Sequence, residues 1–358
     1  MNQLKIDRRN NFDFLRILFA ISVIVSHSYP LYGLPVGDWL MDHTNLVIFS
    51  DLGLGGFFCI SGYLVYQSAQ RSDNFGSFIW KRILRIFPGL IVNILLIALV
   101  LGPIVAGLAG YFNNSSVYQY IYSNVTLFNI EFCIKGVFES TPYGCAINGS
   151  LWTIPYEFLF YLLFVAFFLN KTISKYLGWV CIPLFLLLMV VKWRYPDIGF
   201  FLPFTTIYIK YIVHFGIWFT AGMALSVTSQ YWLRYKARIA AVSFILLLGL
   251  FTKQMPFAIL YVLWPVFVLS FGNCKTAIIS GLDKFGDPSY GVYIYGFVVQ
   301  QTLMYYCYPS ISLMAFLGLS IAISLLLGYI SWHLIEKRAL RWKKLPAMKM
   351  AMATKETV

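Results

Sequence analysis

Charged side chains are scarce in this sequence. Asp, Glu, Lys and Arg together supply 11% of 358 residues, and histidine occurs only four times. A soluble domain carries about 25% charged residues, so a water-facing enzyme or binding module is excluded. Acidic residues are scarcer than basic ones, 14 against 27, and the resulting net charge of +13 raises the question of nucleic acid. The basic residues, however, cluster at the ends of apolar runs, which is the pattern of membrane topology; no nucleic-acid partner is expected. The six cysteines show neither CxxC nor Cys/His zinc spacing, so no metal site is expected. No repeat of solenoid period and no low-complexity tract occurs. No small-residue cleavage site follows the first apolar run, so that run is expected to remain as a helix rather than to be removed as a signal.

What the chain has in abundance is hydrophobic surface: 59% of residues are hydrophobic and 19% aromatic. Apolar runs of spanning or near-spanning length fall near residues 12–29, 47–69, 86–108, 150–169, 177–192, 207–227, 238–252, 257–272, 288–307 and 312–335. The least secure boundary lies between Lys253 and Pro256. The expected fold is all-α, a polytopic integral membrane protein of about ten transmembrane helices in a single bundle. Its domain is expected over residues 1–340, with an outer loop at 109–149 and a basic cytoplasmic tail at 341–358. With an even number of spans, 21 of the 27 Lys and Arg residues lie on the side of the N-terminus. Lys135, Lys192, Arg194 and Lys253 lie opposite, and Arg16 and Lys210 fall within runs. Basic loops stay inside, so both termini are expected in the cytoplasm. The outer loop is rich in Asn, Ser, Tyr and Gly and has too few core-forming positions for a catalytic domain of its own. Chemistry must then reside in the bundle. Cys133 and Cys145 share that loop, and a disulfide can join them if it faces an oxidising compartment and their Cα atoms lie close enough.

Ionisable residues inside apolar runs are the candidate functional groups. In RILFAISVIVSH, Arg16 and His27 stand eleven residues apart, three turns plus about 20°, so they share one helix stripe and are separated by about 16.5 Å along the axis. Arg16 is either a snorkelling interfacial residue or a functional one. His27 is either an interfacial histidine with a backbone partner or a proton acceptor. In SLWTIPYEFLFYLLF, Glu157 lies about 10 Å below the outer boundary, at a depth comparable to His27. A carboxylate there needs a partner; His27 would supply one, and the pair would form a general base, the alternative being a structural interhelical hydrogen bond. In KRILRIFP, Arg82 and Arg85 project from one helical face with Lys81 beside them and Arg71 at the end of the preceding helix. Positive-inside topology explains this cluster, and so does a site for a phosphate-rich cytosolic ligand. Ser61 and Gly62 in GFFCISGYLV suggest a close helix contact. GDPSYGVYIYG reads as a helix start with Pro288 in the first turn, and Glu336 in SWHLIEKRAL is expected to pair with a neighbouring arginine.

Taken together, FDFLRILFAISVIVSH, GFFCISGYLV, KRILRIFP, SLWTIPYEFLFYLL, DPSYGVYIYGF and SWHLIEK, in that order over residues 12–337, resemble bacterial acyltransferase family 3. The resemblance implies a ten-helix inner-membrane enzyme. Such an enzyme takes an acyl group, usually acetyl, from cytosolic acyl-CoA and places it on a hydroxyl of a cell-surface or lipid-linked glycan, without a metal. It also implies that Arg16 and His27 are essential, and it carries the family's Arg-x-x-Arg onto Arg82 and Arg85 and its acid onto Glu157. Arg16, His27 and Glu157 are then the expected catalytic residues, and Arg71, Arg82 and Arg85 the expected site for the nucleotide end of acyl-CoA. The chain ends about twenty residues after the last run and so resembles the form without an attached SGNH hydrolase-like domain. Two positions depart from the family pattern: Gly296, where many relatives have histidine, and Arg338, where many have proline. The first leaves His214 and His333 as structural residues. The rival expectation is a transporter of a lipid-linked sugar or small anion that uses the same buried charges as a proton relay. Inverted repeats would favour that rival, and the sequence shows none.

Overall fold

A computed structural model describes residues 10–35, 37–72, 74–164, 171–253, 256–276, 279 and 286–344. Among them there is no strand, only an isolated bridge between Phe201 and Tyr208. The principal helices are α1 (Phe12–Leu31), α2 (Phe49–Gln70), α3 (Phe75–Ala106), α4 (Ile154–Leu163) and α5 (Lys171–Arg194), followed by α6 (Ile209–Val227), α7 (Lys236–Lys253), α8 (Phe257–Gly272), α9 (Ser289–Cys307) and α10 (Leu313–Ser331). Each of the ten apolar runs meets one of these helices, residues 165–169 of the fourth run lying outside the described residues. Five stretches are individually long and apolar enough to cross a membrane: Phe12–Leu31, Phe49–Gln70, Phe75–Ala106, Ser229–Thr252 and Leu313–Lys343. The protein is therefore an all-α polytopic membrane protein. The basic leader, Lys284 and the tail beyond Lys344 lie outside the described residues, as do Gln254 and Met255 at the uncertain boundary.

Helix α2 lies at the centre, packed against α1 on one side and α6 on the other. Small residues set that second crossing. A side chain on Gly62 would run into the backbone carbonyl of Phe219, and one on Gly222 into that of Cys59. Removing Cβ lets the two backbones approach, which is how helices pack where no hydrophobic effect separates protein from lipid. Phe58 stacks on Phe215 beside this crossing, with ring centroids 4.3 Å apart.

Helices α1 and α9 run parallel and in step. Arg16 meets Asp287 just before α9, Ile24 faces Gly296, and His27 meets Phe297. Gln300 Nε2 then donates to the Ile24 carbonyl (2.9 Å) and to Ser28 Oγ (2.8 Å). The stripe shared by Arg16 and His27 is thus the face of α1 that looks at α9. A second polar tie joins α3, α4 and α9: Asn148 Nδ2 donates to Asn93 Oδ1 (3.1 Å) and to the Ile294 carbonyl (2.8 Å), while Asn148 Oδ1 accepts from the Ser150 amide ahead of α4. Buried amides that spend their donors this way fix helix register in an apolar setting. Within α3 a π turn at Ile97–Leu101 widens the helix, and the Tyr111 hydroxyl donates to the Ala98 carbonyl (2.9 Å).

The loop at 109–149 contains a helix at Ser115–Thr126, and Cys133 and Cys145 form a disulfide with Cα atoms 5.2 Å apart. Val117, Tyr120, Ile134, Phe138 and Ile147 are buried in the main core, so the loop caps the bundle and has no core of its own. The α2–α6 crossing yields one expectation. Gly62→Val should cost about 1–3 kcal/mol by overpacking, read as a lower thermal midpoint in detergent, whereas Gly249→Val, where an added Cβ meets open space, should leave the midpoint unchanged.

Candidate active site

Helices α1 to α4, the turn before α9 and the end of α10 enclose a cavity of about 480 Å³. One wall is apolar, formed by Leu54, Phe57, Phe58, Ile60, Leu64 and Val65 of α2. The opposite side is strongly basic. Asn74 caps α3 by accepting from the Ser77 amide (2.8 Å), and the helix that begins there carries Lys81, Arg82 and Arg85 to the cavity. The three-residue spacing of the two arginines puts both on one face.

Asp287 organises this side. It sits in the turn before α9, where Gly286 at φ +87° supplies the left-handed backbone. Its carboxylate accepts from the guanidinium of Arg16 and from Arg85 Nη2 (2.5 Å), and Ser289 Oγ donates to its other oxygen (2.5 Å). Burial alone would raise the pKa of this carboxyl, but the adjacent Arg16 and then Arg85 outweigh it and hold the group below the ordinary carboxylate range. Arg16 also pairs with Asp13 (3.2 Å), one turn earlier on α1. Arg85 Nη1 lies 3.8 Å from Glu336 Oε2, and its guanidinium stands 5.7 Å over the Trp332 ring. Glu336, expected to pair with a neighbouring arginine, finds that arginine on α3 rather than on its own segment. Arg16 is an ion-paired cavity residue and not merely a snorkelling one.

Arg82 is held differently. Its Nη2 donates to Ser68 Oγ (3.0 Å), and its guanidinium lies 5.7 Å from the ring centroids of both Phe78 and Tyr161. Lys81 Nζ donates to Ser72 Oγ (3.1 Å). Deeper in the cavity, Glu157 Oε1 accepts from the Tyr161 hydroxyl one turn further along α4, and Ser61 Oγ lies 3.0 Å from the same hydroxyl. Ser61 therefore does more than permit a close helix contact.

The structure brings Arg16, Arg71, Arg82, Arg85 and Glu157 to one cavity. It does not bring His27 there. The cavity ends at Thr153 and Tyr293, whose hydroxyls lie 2.6 Å apart, and at Phe57, which meets the Tyr293 ring edge-on at 5.9 Å. His27 stands one turn further along α9, edge-on to Phe297 at 5.2 Å, with Nδ1 buried and without a hydrogen-bond partner. The expected His27–Glu157 pair is accordingly corrected. Similar depth did not place the two groups at the same angle around the bundle, and the carboxylate is satisfied by Tyr161 and Ser61. Of the remaining histidines, His214 Nδ1 lies 2.8 Å from the Tyr261 hydroxyl, and His333 Nδ1 lies 3.0 Å from the Tyr329 carbonyl on its own helix. Among the described residues no group of three His, Cys, Asp or Glu side chains could hold a metal ion.

Sequence reasoning missed Asp287, Tyr161 and Trp332. Tyr161 carried a usable signal, since it follows Glu157 by four residues on a helix. Asp287 carried only a weak one, an acid at a helix start, because its partners lie 271 and 202 residues away.

Comparison with known proteins adds an independent line. The family described as "Acyltransferase domain" matches residues 9–333. An "O-acetyl transferase" of Shigella phage Sf6 is 30% identical over 353 residues, covering 93% of this chain and 96% of its own length. "Nodulation protein 10" of Rhizobium leguminosarum bv. viciae is 38% identical over 169 residues, covering 45% of this chain and 44% of its own. No solved structure matches.

Removing the shared anion should be costly. Asp287→Asn would remove the anion shared by two half-buried guanidiniums, leaving Arg16 with Asp13 and Arg85 with Glu336. A broken buried pair costs about 3–5 kcal/mol and the remaining acids hold the loss near the lower figure, read as a clear fall in the thermal midpoint of the purified protein. An unchanged midpoint would contradict the organising role assigned to Asp287.

Proposed function

The chain belongs to the acyltransferase family that matches it over residues 9–333, and from that membership we propose that it is an O-acetyltransferase. In this proposal it moves acetyl from cytosolic acetyl-CoA to a hydroxyl of a cell-surface or lipid-linked glycan. That it is an enzyme transferring acyl groups follows from the family and from the O-acetyl transferase that aligns with nearly its whole length. Donor, acceptor and placement are our reading. The chain sits in a bacterial inner membrane, crossing it about ten times, with one catalytic unit over residues 1–340 and a basic tail at 341–358 on the cytoplasmic side. The positive-inside distribution supports this orientation, and the disulfide in the loop at the opposite end suits an oxidising compartment.

The observation that carries the proposal is the cavity: a basic mouth joined to an apolar channel. Phosphates are recognised by arginine forks, and a long, mostly apolar arm by an apolar wall. The nucleotide end of the donor docks at Arg71, Arg82 and Arg85. The arm runs along Leu64, Val65 and Leu54 of α2, which carries the thioester past Ser61 and Tyr161 toward the far end. Arg16 stabilises charge on the donor from its position on Asp287. Glu157 holds Tyr161 and Ser61 at the channel's interior.

His27, at the other end of the stripe, is the general base. Its Nε2 takes the proton of a glycan hydroxyl as that oxygen attacks the thioester carbonyl carbon; the new C–O bond forms, the C–S bond breaks, and the thiolate leaves toward the cytosolic side, where it gains a proton. The separation of about 16.5 Å between Arg16 and His27 then matches a division of labour between donor and acceptor compartments.

His27→Ala should abolish transfer of label from acetyl-CoA to envelope glycan while leaving protein abundance intact; retained transfer would refute the role. Consumption of the thioester by the wild-type protein separates this function from transport, which leaves acetyl-CoA whole.

A further inference from the structure

Basic residues after the last helix are accounted for by topology alone, and topology does not require any of them to enter the cavity. One does. Beyond α10 a π turn at Trp332–Glu336 leads into the segment Leu340–Lys344, and both Leu340 and Lys343 line the same cavity as Arg16 and Glu157. The segment is fastened there: Trp80 Nε1, on the turn of α3 just before Lys81, donates to the Trp342 carbonyl (3.2 Å). We propose that this segment is the closing wall of the donor site, and that Lys343, with Lys81 and Arg82, binds the phosphate groups of a nucleotide-bearing thioester. The proposal rests on the acyl-CoA reading above and adds to it a binding element that topology had explained away.

Charge matching supports it. Arg16 and Arg85 have carboxylates beside them, whereas among the described residues no carboxylate lies within ion-pairing distance of Arg71, Lys81, Arg82 or Lys343. Lys343 lines the cavity beside Lys81, Arg82 and Arg71, so four cations face the same mouth. Two donors on cavity-lining residues, Arg82 Nε and Trp332 Nε1, lack acceptors. Four unmatched cations around one mouth call for a multiply charged anion with several acceptor oxygens, which phosphate groups supply and a single carboxylate does not. A phospholipid headgroup shares that chemistry but brings no thioester arm to fill the channel along α2.

The test compares two donors on the full chain in nanodiscs of neutral phosphatidylcholine: labelled acetyl-CoA, and S-acetylpantetheine, which has the same thioester arm without the nucleotide. Lys343→Gln should weaken acetyl-CoA binding about tenfold, the scale of one lost hydrogen bond to a charged group. Lys343→Glu should weaken it further, and Lys343→Arg should restore it. S-acetylpantetheine should bind all variants equally, which also reports intact folding. Unchanged acetyl-CoA affinity in Lys343→Gln, or an equal loss for both donors, would overturn the proposal while leaving the acyl-CoA reading in place. Failure of the wild-type protein to bind either donor would overturn both.

Discussion

One carboxylate ties the cavity together. Asp287 draws Arg16 from α1 and Arg85 from α3 onto the turn before α9, so three helices distant in sequence converge at one point. In a membrane a lone guanidinium is costly, and two facing each other are worse. Sharing one anion, with Asp13 and Glu336 beside it, lets both remain charged at a common mouth. The geometry of the site follows: Arg82, one turn before Arg85, has no carboxylate within ion-pairing distance among the described residues and lies over Tyr161, and Tyr161 in turn holds Glu157.

The same constraint sets the register of α1 against α9. With Arg16 anchored at Asp287, parallel packing carries Ile24 to Gly296 and His27 to Phe297, and Gln300 closes the interface on Ile24 and Ser28. Gly296 matters here, because a Cβ at that position would lie 2.8 Å from Ile24 Cγ1. The cavity and the histidine thus lie along one pair of helices yet are separated by the Phe57–Tyr293 contact and the Tyr293–Thr153 hydrogen bond. In the function proposed above, these two rings and one hydroxyl pair would keep water from the thioester between turnovers.

Much of this was legible in the sequence, where periodicity and cost speak directly. Hydropathy marked the apolar helices, because a spanning run must be apolar throughout, but not the helix Ser115–Thr126 within the polar loop, and five stretches are long and apolar enough to cross a membrane. Eleven residues are close to three helical turns, so the shared stripe of Arg16 and His27 was visible, as was the common face of Arg82 and Arg85. Long-range partners were not. Nothing in GDPSYG says that Asp287 serves arginines hundreds of residues away, and depth alone could not tell whether Glu157 met His27 or Tyr161, since depth fixes position along the bundle but not around it. That Lys343 lines the cavity was hidden for another reason: a basic residue after the last helix already had a sufficient explanation in topology.

The central claim is that the basic mouth and the apolar wall of α2 form one donor site leading toward His27. An experimental density map of the full chain with a non-transferable acetyl-CoA analogue tests it most directly. The account predicts phosphates within hydrogen-bonding distance of Arg82 and Lys343, with the arm extended along Leu64 and Val65 toward Tyr293. An analogue seated at the disulfide-bearing end of the bundle, or lying outside the cavity against lipid, would contradict it.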